Sequence, residues 1–172
     1  GETADSLAAL RLAKENGVET LGIVNVLGSS IAREADDIMY TYAGPEISVA
    51  TTKAYSAQLI AIYLLAMQLA VCKGMLSQEE CAELIDELQT LPGKMEKILE
   101  DKERIQWFAS KYANARSIFF IGRGIDYGIC LEGSLKLKEI SYIHSEAYAA
   151  GELKHGTISL IEDGTLVIGV LT

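Results

Sequence analysis

Hydrophobic residues follow two patterns along the chain, continuous runs of strand length and spaced positions of helical period. Continuous runs occupy residues 19–27, 37–42, 117–121 and 166–171. Helical spacing covers residues 1–16, 48–73 and 127–141, with charged helices at 75–114 and a single turn at 29–35. Strands that alternate with helices and are apolar throughout are typical of parallel sheets covered by helices. The pattern therefore predicts an α/β fold with a parallel sheet between helices.

The sequence also marks where helices end and begin. Gly17 and Gly74 follow two predicted helices and indicate their ends. Ser77 followed by Glu80 is a capping-box pattern for the next helix, and Leu-Pro-Gly at 91–93 predicts a break further on. The longest apolar run, residues 57–72, contains two glutamines and is shorter than the roughly 20 residues that a membrane span requires. We therefore expect a buried helix there and no membrane contact.

The order of the predicted elements suggests two incomplete domains. Residues 1–74 form one block of alternating elements, residues 75–114 a helical linker, and residues 115–172 a second block. The first block opens on a helix with no strand before it, and the second ends on a strand. Since a parallel sheet needs further strands to bury its faces, we expect the end of one α/β domain joined to the start of another.

Composition and charge narrow the class of protein. The chain has 172 residues, 49% of them hydrophobic, which excludes a disordered chain. Its 15 Lys+Arg against 24 Asp+Glu give a net charge of −9, which argues against nucleic-acid binding. The three cysteines lack metal-ligand spacing, and we expect neither a metal nor a cofactor. Their odd number, with no secretory leader in the sequence, predicts a reducing, cytoplasmic location.

The predicted helix 127–141 carries an unusual polar stripe. At about 100° per residue, Glu132, Lys136 and Glu139 share one narrow face. Apolar side chains are expected to flank this face and polar ones to form the solvent side: the flanks are Ile129, Leu131, Leu135 and Ile140, and the solvent side is Ser134, Lys138 and Ser141. Two carboxylates beside one ammonium in a partly desolvated cleft suit proton transfer. The alternative is an ordinary surface ion pair, worth about 0.3 kcal/mol.

Two other places carry candidate chemistry. Thr3, after Gly1 and Glu2, opens the first helix, where free backbone N–H groups and a hydroxyl suit an anion; the alternative is a simple helix cap. Residues 145–156 combine small and polar residues, which predicts an active-site loop. In that loop His155, beside Gly156, is the better of the two histidines for proton transfer near neutral pH, unless its role is structural.

Residues 122–156 carry a resemblance to a known family. They read G-R-G-I-D-Y, then L-E-G-S-L-K-L-K-E-I-S-Y-I-H-S-E-A-Y-A-A-G-E-L-K-H-G, and this run resembles the isomerase half of the glutamine–fructose-6-phosphate aminotransferase family. Gly-Glu-Thr at 1–3 resembles the end of that family's phosphate loop, and residues 43–54 resemble its sugar-contacting segment. The resemblance covers essentially the whole chain in the family's order.

The resemblance implies a fold and a reaction. The fold is a pair of sugar isomerase (SIS) domains, each with three layers in which a parallel sheet lies between helices. The reaction converts fructose 6-phosphate and glutamine-derived ammonia to glucosamine 6-phosphate. By the resemblance, the glutamate that moves a proton between C1 and C2 falls on Glu139, with its companions on Glu132 and Lys136. The ring-opening histidine, which a neighbouring subunit contributes, falls on His155.

Binding residues and departures also follow from the resemblance. Thr3 would contact the phosphate, and Thr51 stands where a serine is usual, which keeps the hydroxyl and adds a methyl group. Thr157 replaces a usual proline after His-Gly. The family's glutaminase domain and much of its isomerase half have no counterpart in these 172 residues. We therefore expect an internal fragment that is inactive on its own.

Three alternatives stay open from the sequence. The first is another enzyme of the same fold, a fructosamine-phosphate deglycase or a phosphosugar isomerase. The second is a non-catalytic sugar-phosphate-binding module, and the third is a helical dimerisation segment, favoured only if the polar stripe faces bulk solvent. Because truncated domains leave sheet edges and apolar faces open, we expect a homo-oligomer, a dimer, with a sugar phosphate as its small-molecule partner.

Overall fold

A computed structural model describes residues 2–172 of the chain. The chain divides into two compact units, Gly1–Lys94 and Met95–Thr172. Each unit contains a parallel sheet with helices packed against it, which confirms the predicted α/β class. The arrangement as parts of two tandem domains stays a prediction.

The first unit is built around a short parallel pair of strands. Strand β1 (Leu21–Val24) pairs with β2 (Asp37–Tyr40), with Leu21 opposite Asp37. The helices of this unit are α1 (Ala4–Glu15), α2 (Ser30–Glu34), α3 (Lys53–Cys72) and α4 (Gln78–Gln89). Helix α5 (Leu91–Leu99) crosses the division between the units. Helix α2 packs against both α1 and β1, and α3 packs against α4.

The second unit holds a longer parallel sheet. Its strands are β3 (Ser117–Gly122), β4 (His144–Ala149) and β5 (Leu166–Gly169), in the order β4-β3-β5 within the described residues. Helix α6 (Lys102–Tyr112) precedes β3, α7 (Ile125–Ser141) connects β3 to β4, and two 3₁₀ turns, Leu153–His155 and Thr157–Leu160, precede β5. Ile118 and Cys130 are buried between α7 and the sheet, and Phe119, the next residue of β3, is buried on the opposite face of the sheet.

Most of the predicted helix boundaries are confirmed. Gly17 and Gly74 follow α1 and α3 with φ of +73° and +66°, a left-handed conformation that glycine adopts without strain. Ser77 and Glu80 form the reciprocal capping box at the start of α4. The break near residue 91 separates α4 from α5, but Pro92 lies inside the first turn of α5, where its missing N–H leaves no helical hydrogen bond unmade.

The prediction of a loop over residues 145–156 is wrong in its first half. Residues His144–Ala149 form β4, which pairs in parallel with β3 along its whole length. The segment H-S-E-A-Y-A has no β-branched residue, so its sequence does not resemble a strand. It forms one because it lies beside β3, whose backbone donors and acceptors need partners.

The prediction that residues 57–72 form a buried helix is also wrong for this chain. Among the residues of α3 only Ala61 is buried, whereas Ile62, Tyr63 and Leu69 are exposed. In its 20 residues, α3 is long and apolar enough to cross a membrane by length and composition. Such a helix is equally typical of a protein core, and α3 lies within a unit that also contains a parallel sheet.

Two carboxylates connect α1 to the segment around α2. The Arg11 guanidinium donates two hydrogen bonds to Glu34, at 2.7 and 2.6 Å. Asp36 accepts from Lys14 Nζ at 2.7 Å and from the backbone N–H and hydroxyl of Thr20 at 3.0 and 2.7 Å. These contacts hold α1 in place against the start of β1.

Asp36 is expected to make the first unit sensitive to acid. Its hydrogen bonds from Lys14 and Thr20 lower its pKa from 3.8 to about 2. A carboxylate whose pKa is lower in the folded chain contributes stability above its unfolded pKa, and this contribution is lost as the pH falls from 3.8 towards 2. We expect Asp36→Asn to lower the free energy of unfolding near neutral pH. The variant should also show a weaker dependence of this free energy on pH in the acid range, as measured by urea unfolding at a series of pH values.

The neighbouring carboxylate offers a matched control. Asp37 begins β2, and its side chain makes no hydrogen bond or ion pair among residues 2–172. Asp37→Asn removes the same charge, so its acid-unfolding profile should follow that of the unaltered chain. Equal profiles for the two variants would contradict a special role of Asp36.

Candidate active site

The site begins at the junction between β3 and α7. Gly122 ends the strand, and a Cβ at this position would lie 2.6 Å from the carbonyl carbon of Asp126. Gly124, with φ +58°, then allows the sharp turn into the helix. Because the strand and the first turn of α7 approach so closely, the rotation of α7 about its axis is fixed at its start.

Small and polar residues form the side of α7 that faces the sheet. Asp126, Cys130 and Ser134, spaced four residues apart, are 8%, 0% and 2% exposed. The prediction that Ser134 belongs to the solvent side is therefore wrong, although Lys138 and Ser141 are exposed as expected. A serine is small enough for the helix to approach the sheet closely. The apolar residues that flank the polar stripe are exposed: Ile129 at 42%, Leu131 at 49%, Leu135 at 43% and Ile140 at 65%.

The three residues of the polar stripe meet on the side of α7 that points away from the sheet. Lys136 Nζ lies 2.5 Å from Glu139 Oε2 and 3.7 Å from Glu132 Oε1. The side chains of Lys136, Glu132 and Glu139 are 20%, 24% and 36% exposed. Glu132 and Lys136 are therefore half-buried and Glu139 is exposed, and the sheltered cleft expected from the sequence stays a prediction.

The ion pairs set the electrostatics of the stripe. The hydrogen bond from Lys136 to Glu139, strengthened by the charges of both glutamates, raises the pKa of Lys136. The ammonium therefore stays protonated, balances one carboxylate and leaves the other as net negative charge. A carboxylate in this arrangement can accept a proton from a carbon atom, while the ammonium stabilises the negative charge that develops on a substrate.

His155 lies in the same unit as the stripe. It ends the 3₁₀ turn Leu153–His155 and is exposed, and Gly156 follows with φ +135°, which a residue with a side chain rarely adopts. Among residues 2–172 its ring makes no hydrogen bond or ion pair with Glu132, Lys136 or Glu139. The imidazole is consequently available to a ligand or to another protein surface.

A pair of side chains on β4 lies close to the start of this loop. The Tyr148 hydroxyl donates to Glu146 Oε2, which raises the pKa of the tyrosine. Glu146 and Tyr148 are two residues apart and so lie on one face of the strand. This pair could not be predicted from a segment expected to be a loop, because side chains alternate between two faces only in a strand.

Thr3 opens α1 without capping it. It occupies the N-cap position in an extended conformation, yet its side chain makes no capping hydrogen bond. The interpretation of Thr3 as a simple helix cap is therefore not supported, and its hydroxyl is exposed. Gly1, the first residue of the resemblance to a phosphate loop, lies outside the described residues.

Thr51 lies in an irregular segment that is held at several points. The Asn25 amide donates to the Gly44 carbonyl at 2.7 Å, and Lys53 Nζ donates to the Pro45 carbonyl at 2.6 Å. Thr51 is half-buried, next to the buried Ala50. Polar contacts rather than regular structure thus define this segment, and Thr3 and Thr51 belong to the first unit.

The described residues contain no group of three or more His, Cys, Asp or Glu side chains that could hold a metal ion. The structure brings together Glu132, Lys136 and Glu139, and it places His155 on a separate turn of the same unit. The chemistry of the site therefore rests on carboxylates, an ammonium, an imidazole and hydroxyl groups.

The fold and this arrangement of acids and ammonium define a class. The SIS domain family matches residues 1–68 and 111–172, which is most of the chain, and the chain belongs to this family. Over its whole length it is 61% identical to the glutamine–fructose-6-phosphate aminotransferase (isomerizing) of Clostridium tetani and 58% identical to that of Caldanaerobacter subterraneus. It spans 28% of the length of each of these relatives.

A solved structure agrees with these relatives. The C-terminal domain of glucosamine-fructose-6-phosphate aminotransferase from Francisella tularensis superposes with a TM-score of 0.95 at 38% sequence identity. The match covers 99% of this chain and 49% of that domain. The resemblance seen in the sequence is thereby confirmed over the whole chain.

Proposed function

We propose that this chain is a segment of the isomerase region of an enzyme that makes glucosamine 6-phosphate from fructose 6-phosphate and ammonia released from glutamine. The observation that carries the proposal is the whole-length identity of 61% and 58% to two glutamine–fructose-6-phosphate aminotransferases. The chain covers 28% of them, so the segment alone is expected to be inactive and the complete gene product to be the enzyme.

The stripe on α7 would carry the proton transfer. Ammonia condenses with the C2 ketone of the sugar and water leaves, which gives an imine. Glu139 then removes a proton from C1, the electron pair forms the C1–C2 double bond, and the C2–N double bond becomes single as the nitrogen takes a proton from solvent. Return of the Glu139 proton to C2, with loss of the C1 hydroxyl proton to solvent as the C1–O bond becomes double, leaves an amine on C2 and an aldehyde on C1. Lys136 and Glu132 position the Glu139 carboxylate, and the Lys136 ammonium offsets charge on the intermediate.

The binding residues would hold the substrate by its phosphate and hydroxyls. Thr3 offers an uncapped helix start and a hydroxyl for the phosphate, and Thr51 offers a hydroxyl for the sugar. His155 would move the proton that opens the sugar ring. We place the enzyme in the cytoplasm, and we retain the division into parts of two tandem SIS domains with boundaries at 1–74, 75–114 and 115–172.

An isotope experiment tests the reaction. The complete gene product is incubated with fructose 6-phosphate and glutamine in D₂O, and the product is analysed by mass spectrometry. A base that carries the proton between C1 and C2 exchanges it with solvent in part of the turnovers, so we expect deuterium at C2 of glucosamine 6-phosphate. Formation of no amino sugar from either glutamine or ammonia would contradict the proposal.

Two apolar surfaces of this segment support its association with further protein, and we retain a dimer as the expected form. Helix α3 exposes apolar side chains, and in the second unit an apolar cavity of about 970 Å³ lies between α6, the end of α7 and β5. Its lining includes Phe108, Leu137 and Val167. Association would remove such surfaces from water.

A complementation experiment tests whether His155 acts across the dimer. A Glu139→Gln subunit and a His155→Asn subunit are each expected to be nearly inactive. When the two are co-expressed and hybrid dimers form, one site in each hybrid has both groups intact, so about a quarter of the unaltered activity should return. Hybrids purified through two different tags and found inactive would show that His155 serves its own subunit.

A further inference from the structure

Glu2, which no part of the proposed mechanism uses, makes an unusual set of contacts. Its two carboxylate oxygens accept separate hydrogen bonds from one residue, Ser30: Oε1 from the backbone N–H at 2.8 Å and Oε2 from the hydroxyl at 2.5 Å. Both donors belong to the first residue of α2, which lies 28 positions away in the sequence. Such a paired contact fixes both the distance and the rotation of the carboxylate.

The partner of Glu2 is itself held in place. Ser29, which is 3% exposed, caps α2 through a hydrogen bond from the Ala32 N–H. The Arg33 guanidinium donates to the Gly28 carbonyl at 2.7 Å and to the Ser30 hydroxyl oxygen at 3.2 Å. The start of α2 is therefore a rigid anchor.

The electrostatic consequence concerns the anion site. The two hydrogen bonds from Ser30, with a contribution from the Arg33 charge, lower the pKa of Glu2. Its carboxylate is ionised at neutral pH and is directed onto α2. The hydrogen-bonded carboxylate keeps its negative charge, and the contact with Ser30 holds that charge on α2 and prevents the side chain from turning towards the ligand.

We infer that Glu2 is the positioning residue of the phosphate site: by its contact with Ser30 it holds the backbone of Thr3, and with it the open start of α1, in the orientation that receives the phosphate. The inference rests on the proposed function, since it concerns the same site. The inference goes beyond the proposed function because it assigns the geometry of the phosphate site to a carboxylate that does not touch the ligand. Loss of the contact between Glu2 and Ser30 leaves Thr3 in the chain but no longer fixes the orientation of its backbone.

The structure provides a matched control at the other end of α1. Glu34 ends α2 and accepts two hydrogen bonds from Arg11, so it too ties α1 to α2 through a bidentate carboxylate. Arg11 lies two helical turns beyond Thr3, and loss of its contact weakens packing without acting directly on the anion site. Glu34→Gln therefore separates a general packing effect from a positioning effect.

The test measures steady-state kinetics and fructose 6-phosphate binding with the complete gene product. We expect Glu2→Gln to raise KM and Kd for fructose 6-phosphate about tenfold with kcat nearly unchanged, the signature of lost uniform binding. Glu34→Gln should leave both constants unchanged, and Thr3→Val should raise them. Ser30→Ala removes only the hydrogen bond from the hydroxyl and should raise KM and Kd about threefold. This variant tests the inference if Glu2→Gln does not fold.

Each outcome decides between the inference and the proposed function. If Thr3→Val weakens binding and both Glu2→Gln and Ser30→Ala do not, the positioning role is wrong while the phosphate site stands. If Glu34→Gln weakens binding as much as Glu2→Gln, the contact is general packing and the inference fails. If the unaltered protein does not bind fructose 6-phosphate, the proposed function fails first.

Discussion

Replacing Glu139 with Gln is expected to lower turnover of the complete gene product by about 100- to 10,000-fold, the range that a positioned general base contributes. The amide has nearly the same shape and can still accept a hydrogen bond from Lys136, but it cannot take a proton from C1. Binding of fructose 6-phosphate should persist, because Thr3 and Thr51 are unchanged. The measurement is kcat for amino-sugar formation together with an equilibrium Kd.

A distant glutamate controls for loss of charge. Glu100 follows α5, is exposed, and makes no ion pair among residues 2–172, so Glu100→Gln should retain full turnover. A Glu139→Gln enzyme that keeps its turnover would favour a protein that only binds sugar phosphate. Loss of turnover together with loss of binding would instead place Glu139 in substrate recognition.

Replacing Lys136 with Met is expected to lower kcat by about 100-fold or more, the loss typical of removing one preorganised electrostatic partner. Lys136 contacts both glutamates of the stripe, at 2.5 and 3.7 Å, and these contacts raise its pKa. Without the ammonium two carboxylates lie side by side with no opposite charge. Lys136→Arg keeps the charge with a different shape and should recover part of the activity.

Lys138 is the matched control on the same helix. It is exposed, two residues further along, and on a different side of α7. Lys138→Met removes the same group from the same helix and should leave kcat within a small factor of the unaltered enzyme. Similar losses in Lys136→Met and Lys138→Met would mean that helix stability, not the stripe, controls turnover.

The elements that could be predicted from the sequence are those whose signal is local. Residues 117–121 form an apolar run and give β3, and Gly17 and Gly74 end helices because their backbone adopts positive φ. The stripe on α7 could be predicted because helical spacing alone brings Glu132, Lys136 and Glu139 together. In each case the decisive interaction lies within about one helix or strand.

The features that could not be predicted depend on distant partners. Strand β4 forms because β3 lies beside it, although its own residues do not favour a strand. The side of α7 that meets the sheet was assigned wrongly because Ser134 is polar by type but small enough to be buried. The contact between Glu2 and Ser30 spans 28 positions and leaves no local signal at all.

The close approach at Gly122 ties the chemistry of the site to the exact number of residues that follow it. One residue added between Gly124 and Glu132 would turn every later side chain of α7 by about 100°, so that the acids and the ammonium would point along the sheet edge while the helix itself stayed intact. We therefore expect changes of length in the first two turns of α7 to be strongly selected against.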